Sequence, residues 1–489
     1  MKSSKLVLIM MLTSLGGLAQ TQQFTNVGNN NFVAPEGVLS VKVQAIGGGG
    51  GGGRVKGSSA RESGGGGGAA YASGIVNVTA GETYIVHVGN AGVQNSSTAI
   101  HGGSSYFGSA SSTDALTTVR AEGGKTLILS DGSQSSGAQG GKAANSVGNL
   151  ARYNGGNGGS TNDNDYGGGG GGAAGSNGPG QNGGEGTPGI GTSNYGGSGG
   201  NGGVSGGDDD GVEGYNYGGG GGGARKSWSG VESNRYGASG AQGIVVVSWL
   251  TISSFTPDFV CSNSTSPVVI TGTNFVDIDS VSVNGITVPF SVVNDTEITL
   301  SELDNATSGS IIVYGANGSA QSLEQLQVSN NTVSINQQGV TLTAQYSGAI
   351  GNASFQWIDC VSGNSPVSGA IYESFTATHN SLYSVQVTEN GCTVSSDCVA
   401  VGSVGLYEEE MNNSWNVFPN PAENMITIEY NTLTPSSISI KDLSGKEVKA
   451  DIAPVSGKTN VDLSGIRSGV YFVEIISESG RSSKKLIIK

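Results

Sequence analysis

Leu39, Val41, Val43 and Ala45 alternate with Ser40, Lys42 and Gln44, a period-two pattern that predicts a half-buried strand running straight into GGGGGGGR. Two more alternating runs, Gly74 to Thr79 and Thr83 to Val88, are separated only by Ala80-Gly81-Glu82 and predict a hairpin. TTVRAEGGKTLILSDG offers another pair of short strands. From about Gly132 to Trp228 hydrophobic periodicity disappears, and GAQGIVVVSWL then restores a strongly β-forming run. From Thr251 the chain reads as short strands with frequent turn signals, the spacing of a small sandwich, and residues 329–402 give five more such runs with Trp357 inside one. No helical period follows any glycine run, so the pattern predicts an all-β, multidomain chain.

The blank region is a glycine field. Of the 87 glycines, 65 lie between residues 41 and 250. A flexible linker would join two complete domains, whereas here strands bracket the field, as if the chain leaves a sheet and returns to it. Its runs also share their punctuation: Ser63-GGGGG-AA, Tyr166-GGGGGG-AA and Tyr217-GGGGGG-A.

FVAPEGVLSVKVQAIGGGGGGG, GGGGGAAYASGIVNVTAGETYIVHVG and GAQGIVVVSW resemble the glycine-rich domain of phage tail-tip adhesins and bacterial surface proteins. The resemblance implies a β scaffold over residues 20–250 carrying side-by-side polyglycine II helices. Such helices have three residues per turn and no internal hydrogen bonds, so each N–H and C=O must find a partner on a neighbour. Ordering glycine is entropically costly, so the runs order together or not at all.

ITGTNF, VSVNG and NDTEITL resemble the IPT/TIG immunoglobulin-like module, covering residues 251–328, and residues 329–402 resemble bacterial Ig-like repeats. Such modules mostly act as spacers, and Trp357 on a central strand reads as a core plug. In an Ig-like sandwich of this kind the strand ending at Cys360 and the last strand, with Cys398, finish at the same end, which implies a Cys360–Cys398 bridge. After an acidic linker (403–414), the FPNPA, DLSGK and GVYFV segments of residues 415–489 resemble the C-terminal sorting domain of the type IX secretion system. That resemblance implies a small β-sandwich, partnership with the secretion machinery, removal of the block on export and display at the outer surface of a Gram-negative bacterium. Lys2 and Lys5, the apolar run Leu6 to Leu12, and Gly17 and Ala19 lay out a signal peptide over residues 1–19.

Charge narrows the partners. The formal net charge is -15, and between Arg235 and Lys441 there is no Lys or Arg. A nucleic-acid grip needs those residues, and no segment beyond the signal has a membrane-spanning length. Catalytic chemistry finds no support either. Gly47–Gly52 meets G-x-G-x-x-G only because every position is Gly, and GGSGG and GVSGG meet G-x-S-x-G without a strand before or a helix after. His87, His101 and His379 lie far apart, and Asp163, Asp165 and Asp208 to Asp210 lack the spacing of a calcium loop and read as solvated carboxylates. No catalytic residue, cofactor or metal is therefore expected. The short run Asp279-Ser280-Val281 resembles an O-glycosylation motif of bacteria that use this secretion route.

Tyr153, Tyr166, Tyr195, Tyr215, Tyr217, Trp228 and Tyr236 punctuate the field. They are either ligand contacts, stacking on sugars or anchoring a protein, or caps that seal the ends of glycine strands. The expectation is an adhesin-like surface protein whose glycine-rich head binds glycan or protein. A purely structural surface component and an unrecognised polysaccharide-active enzyme are the alternatives.

Overall fold

The structure, a computed structural model, describes residues 20–489 apart from 95–98, 128–135, 163–164, 193, 205–206, 229–232, 263–265, 304, 403–413, 431–433 and 478–479. The signal segment, Asp163 and nearly all of the acidic linker therefore lie outside the described residues. The chain is all-β: strands form every sheet, and the helical turns among the described residues are the short Ala143–Asn145 and Ile350–Asn352. Two compact units divide between Asn330 and Asn331.

In the first unit, strand Val38–Ile46 is the axis of a ten-stranded sheet. It pairs with Ile244–Ser248 along Lys42–Ile46 and with Tyr71–Asn77 along Ser40–Ile46. A second sheet joins Gly28–Val33, Thr83–Val88, Ser105–Phe107 and Val119–Ala121. Between the sheets sit Phe32, Val41, Val43, Val76, Val86, Phe107, Val245 and Val247. From Val41 to Ala45 the alternation read from the sequence is the inward face of this sandwich, whereas at the start of the strand the inward residue is Val38 and Leu39 is only half-buried.

The hairpin expected at residues 74–88 does not form. Tyr71–Asn77 belongs to the first sheet and Thr83–Val88 to the second, and the connection arches between them, tied by Gly81 N–H to the Ala34 carbonyl (2.8 Å). Alternation satisfies both arrangements, because each strand buries one face either way. Of the strand pair expected in TTVRAEGGKTLILSDG, Val119–Ala121 forms; residues 123–127 run in the glycine bundle, and the rest of the second strand lies outside the described residues.

The glycine field leaves the sheet at Ile46, Tyr71 and Ile244 and packs as parallel and antiparallel extended strands. Residues 167–174 show the rule. The N–H groups of Gly168, Gly171 and Ala174 donate to Ser63, Gly66 and Ala69, each at 2.9 Å. Those of Gly169 and Gly172 donate to Gly184 and Gln181 at 2.8 Å. Those of Gly167, Gly170 and Ala173 donate to Gly203, Gly200 and Gly197 at 2.8–2.9 Å. Every third residue thus faces the same neighbour, the three-residue turn of a polyglycine II helix. Its carbonyls accept from three further strands, at Gly223 and Gly220, at Gly159 and Gly156, and at Gly186 and Gly189. One run touches six neighbours. That closeness excludes side chains: a Cβ on Gly169 would lie 1.8 Å from the Thr187 carbonyl oxygen, and one on Gly170 would lie 1.9 Å from that of Gly220.

The punctuation residues now have causes. Ala69, Ala173 and Ala174, which leave their runs, pack with Ile46, Tyr71, Ile244 and Val246 into a small apolar plug at the base of the bundle. Ser63, which enters a run at the other end, donates its hydroxyl to the Gly53 carbonyl and accepts from the Ala224 N–H (3.0 Å). It stitches three runs together.

The first sheet does not stop at residue 250. Where Ile244–Ser248 ends, the start of strand Gly318–Ser329 takes its place, with Gly318 opposite Val41 and Ala320 opposite Val38. Residues 251–330 complete a second sandwich. Thr251–Thr256, Val268–Thr273, Glu297–Leu300 and Phe290–Asn294 form one sheet over the core of Leu250, Ile270, Phe275, Ile298, Ile311 and Leu326.

In the second unit, Val333–Gln338, Thr341–Tyr346 and Ser374–Thr376 face a sheet built on Ser354–Asp359 and Ser381–Glu389. Trp357 is fully buried at its centre, with its indole N–H donating to the Tyr372 carbonyl at 2.9 Å. Cys360 and Cys398 are bonded, with Cα atoms 6.5 Å apart, and neither Cys261 nor Cys392 is a free thiol. The C-terminal block forms sheets of three and four strands around Trp415, Ile426, Ile440 and Val473. Its motifs are structural. Asn420 of FPNPA pairs like a strand with the last strand, donating to the Lys485 carbonyl and accepting from the Ile487 N–H (2.8 Å). Asp442 of DLSGK closes its turn by accepting from the N–H groups of Ser444 and Lys446.

Candidate functional site: the two ends of the glycine bundle

The seven aromatic residues fall into two groups. Near the base, Tyr153 stacks on buried Tyr71 with centroids 6.2 Å apart, and Tyr217 packs on the alanine plug. Tyr195 accepts a hydrogen bond from Gln23 (3.1 Å), and Tyr215 lies beside Gly219, exposing more than half its surface. At the opposite end are Tyr166, Trp228 and Tyr236. Tyr166 packs over Gly186, Tyr236 lies under the Arg54 guanidinium at 5.7 Å, and Trp228 is 76% exposed. Tyr153 and Tyr217 seal the bundle, and Trp228 is the aromatic that does least for it. The distance between the ends follows from run length: six residues at about 3.1 Å span roughly 19 Å.

The far end is also basic, which the aromatic pattern alone does not reveal. Two short ribbons close it, Val55–Gly57 with Ser233–Arg235 and Arg61–Glu62 with Arg225–Lys226. They bring Arg54, Lys56, Arg61, Arg225, Lys226 and Arg235 to one tip. The signal was present in the sequence: Arg54 directly follows one glycine run, and Arg225-Lys226 follows another after a single alanine.

Asp208 organises this tip. One carboxylate oxygen accepts from the N–H and O–H of Ser227 (2.8 and 2.9 Å), and the other lies 3.4 Å from both Lys226 and Arg235. Lys226 is fully buried and also donates to Ser233 at 2.7 Å. Desolvation pushes the Asp208 pKa up, but the Ser227 hydrogen bonds and the Lys226 charge outweigh it and hold the group at about 2. A carboxyl depressed in the folded state stabilises above its unfolded pKa and loses that stabilisation as pH falls through the folded value. Melting temperature should therefore be insensitive to Asp208 between neutral pH and about pH 5, then fall below about pH 4. Calorimetry across that range on the native chain and on Asp208→Asn should show the acid fall flattened in the variant.

Other chemistry-bearing residues are absorbed by the fold. The glycines matching G-x-G-x-x-G spend their N–H groups inside the bundle, Gly48 on Gly103, Gly49 on Ala241 and Gly50 on Gly67. Ser198 of GGSGG accepts from the Gly191 N–H at 3.1 Å. His87 stacks on Tyr106 and bonds Asn29, His101 accepts from the Thr126 N–H, and His379 lies 3.4 Å from Asp359. Asp210 accepts from the Tyr236 N–H. Among the described residues no three His, Cys, Asp or Glu side chains gather as a metal would require, and no helix is long and apolar enough to cross a membrane.

Comparison with known proteins agrees at both ends of the chain. No curated protein matches. Among solved structures, similarity extends to a protein crystallised with a xylogluco-oligosaccharide, at 13% identity, 48% of this chain, 59% of that one and TM-score 0.25. It extends also to the Bacteroides ovatus mixed-linkage glucan utilization protein SGBP-B with a heptasaccharide, at 14% identity, 47% of this chain, 65% of that one and TM-score 0.14. The N-terminal four Ig domains of Dscam1 match at 11% identity, 55% of this chain, 79% of that one and TM-score 0.13. Scores this low bear on neither architecture nor function. The family models are specific: residues 25–250 match the glycine-rich domain, and residues 416–489 match the secretion system C-terminal sorting domain. Carrying that C-terminal block, the chain is cargo of the type IX secretion system, a secreted or outer-surface protein of a Gram-negative bacterium.

Proposed function

We propose that the glycine-rich head is an adhesive binding module that meets its partner, a glycan or a surface protein, at the far tip of the bundle. The observation that carries this reading is Trp228, 76% exposed at the tip that also carries Arg54 and Tyr236, at the end of a densely hydrogen-bonded strut. A large aromatic presented to solvent on a rigid element is the kind of residue that binding hot spots use. Tyr236 and Arg54, already stacked, extend the same surface. Binding without turnover belongs to the proposal, because Asp208 and Asp210 are committed to holding the tip closed.

The test is a glycan array and a cell-adhesion assay on the secreted protein and its Trp228→Ala variant. Saturable binding that weakens by about tenfold or more in the variant, with unchanged melting temperature, is expected. Adhesion that is absent in both proteins, or equal in both, would leave the head a structural element of the cell surface. Turnover of any glycan by the native protein would make it an enzyme and overturn the reading.

A further inference from the structure

A second part of the head has the makings of a ligand site, and it lies near the base of the bundle, away from the aromatic tip. Two open clefts of about 550 and 570 Å³ flank the Ala143–Asn145 turn and share Ala144 as a wall. Each is within the size range of small-ligand sites.

The first cleft is floored by the Gly140–Gly141 and Gly155 backbone and walled by amides. Asn154, Asn157 and Asn182 each accept a backbone N–H through the side-chain oxygen, from Ala143 (2.7 Å), Gly140 (3.0 Å) and Asn157 (2.7 Å). Those bonds fix the orientation of the amides and, among the described residues, leave the NH₂ ends as three donors at one cleft. Lys142 lines the same cleft, and among the described residues no carboxylate is bonded to its ammonium.

The second cleft holds Arg120 and Arg152. Both guanidiniums are positioned by carbonyl groups and not by carboxylates: Arg120 by Ala110 and Asn145, Arg152 by Ser146 (3.1 Å). The nearby acids are already engaged. Glu122 accepts from Lys125, Asn145 and the Lys142 N–H, and Asp114 accepts from the Leu116 N–H and the Thr117 hydroxyl. A chain of net charge -15 therefore places three cations around two adjoining clefts and neutralises them only in part.

We infer that these clefts bind an acidic polysaccharide, one sugar unit in the amide cleft and its charged neighbour on the arginine pair. Amide and backbone groups suit a hydroxyl-rich ring, and a guanidinium pair suits a carboxylate or sulfate ester through paired N–H donors. Two clefts joined at one wall suit a repeating ligand more than a single small anion. The site is independent of the Trp228 tip, so either can fail alone.

The test measures binding of the full secreted protein to an immobilised polyuronate, a sulfated glycan and a neutral glucan. Arg152→Gln combined with Lys142→Gln removes two charges from exposed side chains, and Trp228→Ala serves as the comparison. The double variant should bind the acidic chains about tenfold or more weaker than the native protein at unchanged melting temperature, a larger loss than Trp228→Ala produces. Binding should weaken as NaCl rises from about 50 to about 500 mM. A preference for the polyuronate or for the sulfated chain identifies the anion. No saturable binding to either acidic chain, equal binding of the neutral glucan, or indifference to the double substitution would overturn the inference. Loss with Trp228→Ala but not with the double variant would assign the acidic ligand to the tip, which also overturns it.

Discussion

Gly170→Ala should destabilise the head by about 3 kcal/mol, the upper end of what an extra methyl costs in a packed interior, and lower its melting temperature by roughly 5–10 °C. A Cβ at this position meets the Gly220 carbonyl oxygen at 1.9 Å and its carbon at 2.5 Å. Neither atom belongs to a side chain that can swing away, so the methyl must push two strands apart. Gly170 is also bonded on both sides, through its N–H to Gly200 and through its carbonyl to Gly189, so the displacement propagates into several hydrogen bonds. Gly207→Ala is the matched comparison, because a Cβ there meets nothing within 4 Å, and it should change stability by less than about 0.5 kcal/mol. Were the glycine field a linker, both substitutions would be neutral. Paired calorimetric melts of the two variants decide between these outcomes.

A chain ending at residue 250 should be less stable in its glycine-rich part than one ending at residue 330, by about 4 kcal/mol. The first cut removes the strand that covers Val38–Val41, together with the Gln321 N–H to Gly37 hydrogen bond (2.7 Å) and the buried Ser40–Ser319 hydroxyl pair (2.8 Å). It also exposes Leu250, which is fully buried in the following sandwich. Re-exposing one leucine costs about 2 kcal/mol, and each lost hydrogen bond adds about 1 kcal/mol. An uncovered sheet edge is in addition a template for association, so the shorter chain should aggregate at concentrations where the longer one stays monomeric. Melting curves and sedimentation of the two chains check both effects. Equal stability would mean that the pairing at residue 318 contributes nothing.

How much of this was legible in the sequence differs by element. Strand Val38–Ile46 could be read because its apolar positions from Val41 to Ala45 alternate with polar ones, and Ile244–Ser248 because it is an unbroken β-branched run, buried on both faces. The bundle leaves no such record, since its specificity lies in backbone groups and glycine has no side chain to pattern. What the sequence did retain was the punctuation, Ser63 before a run and Ala69 or Ala173 after it, which marks where close packing begins and ends. Which strand meets which was not legible. Residues 74–88 fit a hairpin and an arch equally well, and the pairing of Val41 with Gly318 depends on a partner far along the chain. The division of the aromatics is a tertiary fact of the same kind. Tyr217 and Trp228 stand eleven positions apart, yet one belongs to the base plug and the other to the exposed tip. Arg120 and Arg152 likewise come together only because the Arg120–Val147 bridge and the strand at Ala151–Tyr153 fold back on the sheet.

The central claim is that the glycine runs are a hydrogen-bonded bundle, and residue-resolved amide hydrogen exchange on the full protein tests it most directly. The N–H groups of Gly168 to Gly172, each paired at 2.8–2.9 Å with a neighbouring run, should exchange only with opening of the whole head and be as protected as those of strand Val38–Ile46. Exchange of those glycines at the rate of an unstructured chain, while the flanking strands stay protected, would contradict it.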